Sequence, residues 1–440
     1  MRTNVFLSTD SLIGRGPHIE TVTASLHRQH RAASAGAIVR VPCGSAPAVV
    51  AIPARDEHER IGDCLAALAL QRDRAGFPIA AGTFDVLVLA NDCGDETARS
   101  ARCYAGRVPF GLHVVECRLP PGEAHAGGAR RVAMEQAATL LTGGGNRTGR
   151  LAERDGIILT TDADSRVQPT WMAANLAAFE TGVDAVAGYV DADAGEYLAL
   201  GAEFLDRGRL EDSYLAYVAR LYAALDPRRH DPWPNHRVHS GASFAVTLSA
   251  YRAIGGLPSR RLGEDAALAL ALESAGFLIR HTMDAVVTTS CRFDSRTPGG
   301  AGDTMRQRYE NLDATCDGDM EPVERVFRRA RTKGLLRRLH AAGRLGDDSI
   351  WQKRLAFDRT RAAQILEDAA NLPFARLWQA VESESSALRL GDALRPSDLP
   401  FELRKAERLL RHLADGRSAH PAGISAHGET SMDGAAASLS

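Results

Sequence analysis

The stretch GIILTTDADS (156–165) runs from a short apolar, β-branched segment straight into two aspartates. Six residues of this composition, bounded by loop-forming residues, read as a buried parallel strand. Asp162 and Asp164 follow it, two apart on an extended chain, so both carboxylates point the same way. Two like charges so placed repel each other and call for a cation. Hard oxygen ligands suit Mg²⁺ or Mn²⁺, which keep part of their water and accept substrate phosphates. A lone DxD also fits a solvated turn whose Asp caps the next helix; what favours the metal is the pattern on either side.

Upstream, AVVAIP (48–53), FDVLVLA (84–90) and LHVVEC (112–117) read as strands, with helices expected over 57–72, 95–105 and 125–142. Downstream come a helix near 170–181, the strand DAVAGYV (184–190) and a long helical region over 195–225. HSGASFAVT (239–247) and DAVVTTS (284–290) are the last strands, separated by helices in YRAIGG and EDAALALALESAG. Strand and helix alternate at roughly 30-residue spacing, the pattern of a mostly parallel α/β sheet covered by helices on both faces. From 303 onward the pattern is helical and Arg-rich. The expected organisation is an N-terminal extension over 1–46 with one helix at 19–33, an α/β domain over 47–300, a helical addition over 301–415 and a disordered tail over 416–440.

The chain has 440 residues, 45% hydrophobic and 25% charged, with a formal net charge of −2. That balance is globular, and it offers no basic surplus for nucleic acid or an anionic membrane. Only Lys333, Lys353 and Lys405 are lysines among the 53 basic residues, a bias that reads as GC-rich coding. No run reaches the roughly 18 apolar residues of a membrane span. Seven cysteines, an odd number with no CxxC pair, argue against a disulfide framework or a zinc site and fit a reducing cytoplasm.

Ligands of open α/β sheets bind at the carboxyl ends of the strands. Three of these ends carry acids: Ala54-Arg55-Asp56-Glu57, Asn91-Asp92-Cys93-Gly94-Asp95 and Asp162-Ala163-Asp164. Neither GxGxxG nor GxxxxGK[ST] occurs, which disfavours a dinucleotide dehydrogenase and a P-loop NTPase. Asn91 and Asp92 suit a base or ribose, whose N–H and O–H groups donate to carboxylates; Asp95 reads mainly as a helix cap. Glu264-Asp265 opens a helix, where acids are favoured by the free N–H groups and the dipole, and where a general base would be held rigidly. Arg130 and Arg131 begin another helix and serve either donor phosphates or the surface. The histidines show no metal-ligand spacing; His239, before Ser240-Gly241, is a candidate substrate contact, and Trp233 a candidate for stacking on a sugar.

In this order the motifs resemble the family 2 glycosyltransferases of GT-A fold. The matching pieces are VVAIPARDEHERIGDCLAAL (49–68), VLVLANDCGDETA (86–98), GEAHAGGARRVAMEQA (122–137), LTTDADS (159–165) and the stretch from Ser240 to Gly276, within about 47–295. The resemblance implies a nucleotide-sugar transferase. Pro53, Ala54, Arg55 and Glu57 match the first nucleotide-binding loop, and Asn91 and Asp92 the loop that contacts the base. Asp162 matches the ribose contact and, with Asp164, the metal–diphosphate ligands. Asp265 of Glu264-Asp265 matches the base of inverting members. Mg²⁺ or Mn²⁺, a UDP-sugar donor and a hydroxyl acceptor are implied. Four features depart from the pattern, one being the second loop, which reads Ala90-Asn91-Asp92 rather than the common double Asp. Asp56 stands where Asn is common, Thr288-Thr289-Ser290-Cys291-Arg292 replaces the usual metal-binding His, and QxxRW is absent. A retaining transferase, a sugar nucleotidyltransferase and a non-catalytic binding module remain as alternatives.

Overall fold

The computed structural model describes residues 47–143, 156–294, 298–318, 320–346, 350–369 and 371–418. The expected extension over 1–46 with its helix at 19–33, and the tail beyond 418, lie outside them. The first elements are β1 (Ala48–Ala54), α1 (Ile61–Ala69), β2 (Phe84–Asn91), α2 (Thr97–Arg102), β3 (Gly111–Cys117) and α3 (Ala126–Gly143). Then come β4 (Ile157–Thr160), β5 (Ser165–Val167), α4 (Trp171–Phe179), β6 (Ala185–Ala192), α5 (Ala194–Leu198) and α6 (Ala202–Leu225). β7 (Phe244–Thr247), α7 (Leu248–Ala253), α8 (Glu264–Ser274), β8 (Ile279–Thr289) and α9 (Ala301–Glu310) follow. The last helices are α10 (Val323–Ala341), α11 (Ile350–Arg354), α12 (Arg359–Ala369), α13 (Phe374–Glu384) and α14 (Leu399–Ser418).

All eight strands form one sheet in the order β3-β2-β1-β4-β7-β6-β8-β5. β7 and β5 run antiparallel to their neighbours; the other six strands share one direction. The sheet is therefore mixed and mostly parallel, as expected. Because both faces are covered, β1 reads as a continuous apolar run rather than an alternating one. Ala48, Val50 and Ile52 pack toward Leu65 of α1, Ala101 of α2 and Trp171 of α4. Val49 and Ala51 face the other layer, with Met134 of α3, Tyr251 of α7 and Leu272 of α8. Each Val, Leu or Ile fully removed from water here contributes roughly 1.5–3 kcal/mol.

Four elements differ from the sequence expectation. α1 begins at Ile61, not 57, because the Glu57 carbonyl accepts from Arg60 and Ile61 N–H at 3.0 and 2.9 Å and closes a turn first. β7 covers only Phe244–Thr247, leaving 239–243 as a loop. β5, three residues long, and the first half of β8 carry too many polar residues to stand out by periodicity.

The chain divides into two compact units, one of residues 1–201 and 238–310, the other of 202–237 and 311–440. The helical unit thus begins with α6, inside the 47–300 range expected for the α/β domain, and the α/β unit keeps α9. Tyr214 and Leu221 of α6 share a core with Val323, Val326 and Leu409, which only a fold, not a local pattern, discloses. Within this helical unit Arg329 pairs with Glu321 and Glu382, and Arg337 with Asp226. No helix among the described residues is long and apolar enough to cross a membrane. The six described cysteines are all free.

Candidate active site

β1, β2, β4 and β8 point the same way, so the residues after them emerge at one edge of the sheet. β7 runs the opposite way, and the loop before it, Ser240–Ser243, arrives at the same edge. The acidic strand ends, the α8 start and the segment after β8 are brought together by this topology. All belong to the α/β unit.

The centre of the cluster is Arg130, on the first turns of α3 and only 6% exposed. Its Nη2 donates to Asp162 Oδ1 at 2.7 Å and its Nε to Glu264 Oε1 at 3.1 Å. Its Nη1 donates to Thr160 Oγ1 and to the Gly241 carbonyl, both at 2.9 Å. One guanidinium therefore joins the DxD strand end to the Glu264-Asp265 helix start. Four of its five N–H groups are engaged in this way, and the second Nη2–H has no partner among the described residues. Arg131 instead pairs with Glu123. Gly241 makes the arrangement possible: a Cβ there would lie 2.3 Å from Arg130 Cζ.

Asp265 sits in the first turn of α8. Its Oδ1 accepts from the Ala266 N–H at 2.7 Å and its Oδ2 from the Gly241 N–H at 3.2 Å. Burial, and next the charge of Glu264, raise its pKa above the ordinary carboxylate value; the backbone N–H groups and Arg130 oppose this without cancelling it. Asp164 is likewise raised, by burial first and then by Asp162, against the pull of Arg292.

Asp164 lies beside the end of β8 because β5 pairs antiparallel with it, Ser165 opposite Thr289. Ser290 Oγ donates to Asp164 Oδ2 at 3.0 Å, and Arg292 Nη2 lies 3.0 Å from the same oxygen. Arg292 also forms a two-pronged pair with Glu57, Nη1 to Oε2 at 2.8 Å and Nη2 to Oε1. Sequence reasoning marked this segment only by the histidine it lacks. Reading the β8 end as the other strand ends were read shows an arginine three residues past the strand.

The first two loops share a device. Asp56 and Asp92 follow β1 and β2 with φ of 54° and 50°, a left-handed turn that Asp and Asn tolerate best among non-glycine residues. This accounts for Asp56 at a position where Asn is common. Asp56 Oδ1 holds the Gly94 N–H at 2.7 Å, tying the loops together, and Asp92 Oδ2 accepts from Leu119 N–H at 3.3 Å. Asp95 is occupied by His58 and Thr97 in the turn before α2, whose N-cap is Glu96 rather than the expected Asp95. Asn91 is buried, Pro53 and Arg55 are half-buried, and Ala54 is buried at the end of β1. His239 faces His281, Nε2 to Nε2 at 3.0 Å, and Trp233 is 46% exposed.

The donor set fits a divalent cation. Asp162 Oδ2 and Asp164 Oδ1 have no partner among the described residues, and both belong to carboxylates two residues apart. Mg²⁺ and Mn²⁺ are commonly held by one or two carboxylates, with water and phosphate completing the shell. The described side chains offering three close ligand atoms are Asp56, Cys93 and Asp95, not this pair. A cation held at the DxD would draw its remaining ligands from water or substrate.

No family model and no curated protein matches the chain. Its fold is similar to the mannosyltransferase PcManGT from Pyrobaculum calidifontis, solved with GDP-Man and Mn²⁺, at 18% identity and a TM-score of 0.37, over 84% of this chain and 82% of that one. It is also similar to TarS 1–349 from S. aureus, solved with UDP, at 14% identity and a TM-score of 0.39, over 86% and 93%. A third likeness is to glucosyl-3-phosphoglycerate synthase from Mycobacterium tuberculosis, solved with Mg²⁺ and UDP: 17% identity, a TM-score of 0.32, covering 60% and 77%. At these scores the likeness assigns no function.

Proposed function

We propose that the protein is a GT-A glycosyltransferase, nearest in motif to family 2, that moves a sugar from a nucleoside-diphosphate donor to a hydroxyl with inversion. The observation that carries this reading is the Arg130 bridge, which gathers the DxD and the Glu264-Asp265 pair around one buried guanidinium. A donor-binding carboxylate pair and a base candidate with a raised pKa are what such a transfer needs at one place.

In this reading Asn91 and Asp92 face the base, with UDP favoured, and the Pro53–Glu57 loop and Asp162 flank the ribose. Asp162 and Asp164 would hold Mg²⁺ or Mn²⁺, which when bound offsets the charge on the departing diphosphate. The acceptor oxygen attacks the anomeric carbon and forms the new C–O bond. The bond to the diphosphate oxygen breaks, and the nucleoside diphosphate leaves with that electron pair. Asp265 takes the acceptor proton, a role typically worth about 10²–10⁴ in rate. Glu264, held by Arg130, orients its neighbour rather than the substrate. Calorimetry with UDP, GDP and Mn²⁺ on the wild type and Asp162→Ala tests the donor assignment. The reading expects nucleotide binding that the substitution weakens; equal binding by both proteins would refute it.

A further inference from the structure

The two arginines at the DxD are not equivalent. On Arg130 every nitrogen of the guanidinium already donates to a protein oxygen. On Arg292, Nη1 and Nη2 donate to Glu57, and Nη2 also lies 3.0 Å from Asp164. Its Nε–H and second Nη1–H have no partner among the described residues, and its side chain is 20% exposed. The fork is also held in place from behind. The Cys291 N–H donates to Glu196 Oε2 at 2.6 Å, and Glu196 Oε1 accepts from Arg60 at 2.8 Å.

We propose that Arg292 is a permanent cation of the donor site, contacting the donor diphosphate and letting a nucleoside diphosphate bind without a divalent ion. The proposal rests on the nucleotide-sugar reading above and names the residue that grips the phosphates. A guanidinium stays charged at any working pH and presents paired N–H groups that match phosphate oxygens. Its unengaged Nε–H lies on the guanidinium edge shared with Nη2, the nitrogen that touches Asp164, whose Oδ1 is free where the diphosphate–metal unit is expected. Glu57 and Asp164 hold the fork without exhausting it. The Asp164 carboxylate, which would otherwise face incoming phosphate oxygens bare, is partly neutralised before they arrive.

The test is calorimetric titration of UDP and GDP into the full-length wild type, Arg292→Gln and Arg292→Lys, each in Mn²⁺ and in EDTA. The wild type is expected to bind one of these nucleotides in EDTA within about tenfold of its affinity in Mn²⁺. Arg292→Gln should lose about tenfold or more in EDTA, the worth of a charge-assisted hydrogen bond, and less in Mn²⁺. Arg292→Lys, which keeps the charge but not the fork, should recover part of the loss. If Arg292→Gln unfolds, the lysine variant carries the comparison, with the wild-type EDTA measurement beside it. Wild-type binding that vanishes in EDTA, or variants that match it there, would overturn the assignment of Arg292 alone. A wild type that binds neither nucleotide in either buffer would overturn the nucleotide-sugar reading itself.

Discussion

At the scale of single residues, the site depends on a buried guanidinium that joins two acidic segments. Arg130 is buried against Asp162 and Glu264, and Gly241 leaves it room. Gly241→Ala places a methyl 2.3 Å from Arg130 Cζ, and the clamped guanidinium cannot retreat without giving up an acid. Transfer activity is expected to fall by about tenfold or more, on the scale of one lost charge-assisted bond, while circular dichroism stays native. Asp265 makes a separate prediction. Burial, and then Glu264, push its pKa up to about 6. A base must be deprotonated to work, so kcat/KM should fall as the pH drops through about 6 rather than through the ordinary carboxylate range near 4. Asp265→Asn should lower kcat by about 10²–10⁴ and remove that acid limb. The acids themselves were legible because they follow apolar strands or, for Glu264-Asp265, open an apolar helix. The arginines were not, because a guanidinium's partners come from distant segments: Arg130 and Glu264 are 134 residues apart, and Arg292 and Glu57 235 apart.

At the scale of elements, the two decisive placements are β5 against β8 and α3 against the start of α8. β5 is too short to be seen by alternation, yet its register sets Asp164 beside Ser290. α3 approaches the segment before α8 so closely that a Cβ on Gly127 would lie 2.1 Å from the Arg260 carbonyl oxygen. Gly127→Ala must push these elements apart. It is expected to cost about 1–3 kcal/mol in urea unfolding and, by drawing Arg130 away from Glu264, to lower kcat more than it raises KM. The longer strands were legible for a physical reason: β1 and β2, buried on both faces, must be apolar throughout. Helix starts were less so, since the turn at Glu57 is made by backbone bonds that no side-chain pattern announces.

At the scale of the whole molecule, the division into units cuts across the sequence order. α6 looks like part of the α/β domain in sequence, but it completes the core of the helical unit. The Arg-rich helical stretch expected from 303 onward contains Arg328-Arg329 and Arg337-Arg338, whose charges suit either a phosphate-bearing acceptor or water. Arg329 is instead locked to Glu321 in two-pronged fashion, Nε at 3.0 Å and Nη2 at 3.1 Å, and Arg337 to Asp226 at 2.6 and 2.8 Å. Arg329→Ala strands the buried Glu321 carboxylate and should cost about 3–5 kcal/mol of stability by urea unfolding; a change within 1 kcal/mol would mean the pair adds only shape. For Asp226, burial alone would raise the carboxyl, but the hydrogen bonds and charge of Arg337 prevail and lower it. The stability this pair contributes is present above the unfolded pKa near 4 and is lost as the pH falls below it.

The claim on which the rest depends is inverting sugar transfer with Asp265 as base. It is tested most directly by following the anomeric proton of the released or transferred sugar by NMR. The protein is incubated with a panel of nucleotide sugars and Mn²⁺, beside its Asp265→Asn variant. The account predicts that one donor is consumed, that the new anomeric centre has the opposite configuration, and that the variant is nearly inactive. Retained configuration, undiminished turnover by the variant, or no donor consumed at all would contradict it.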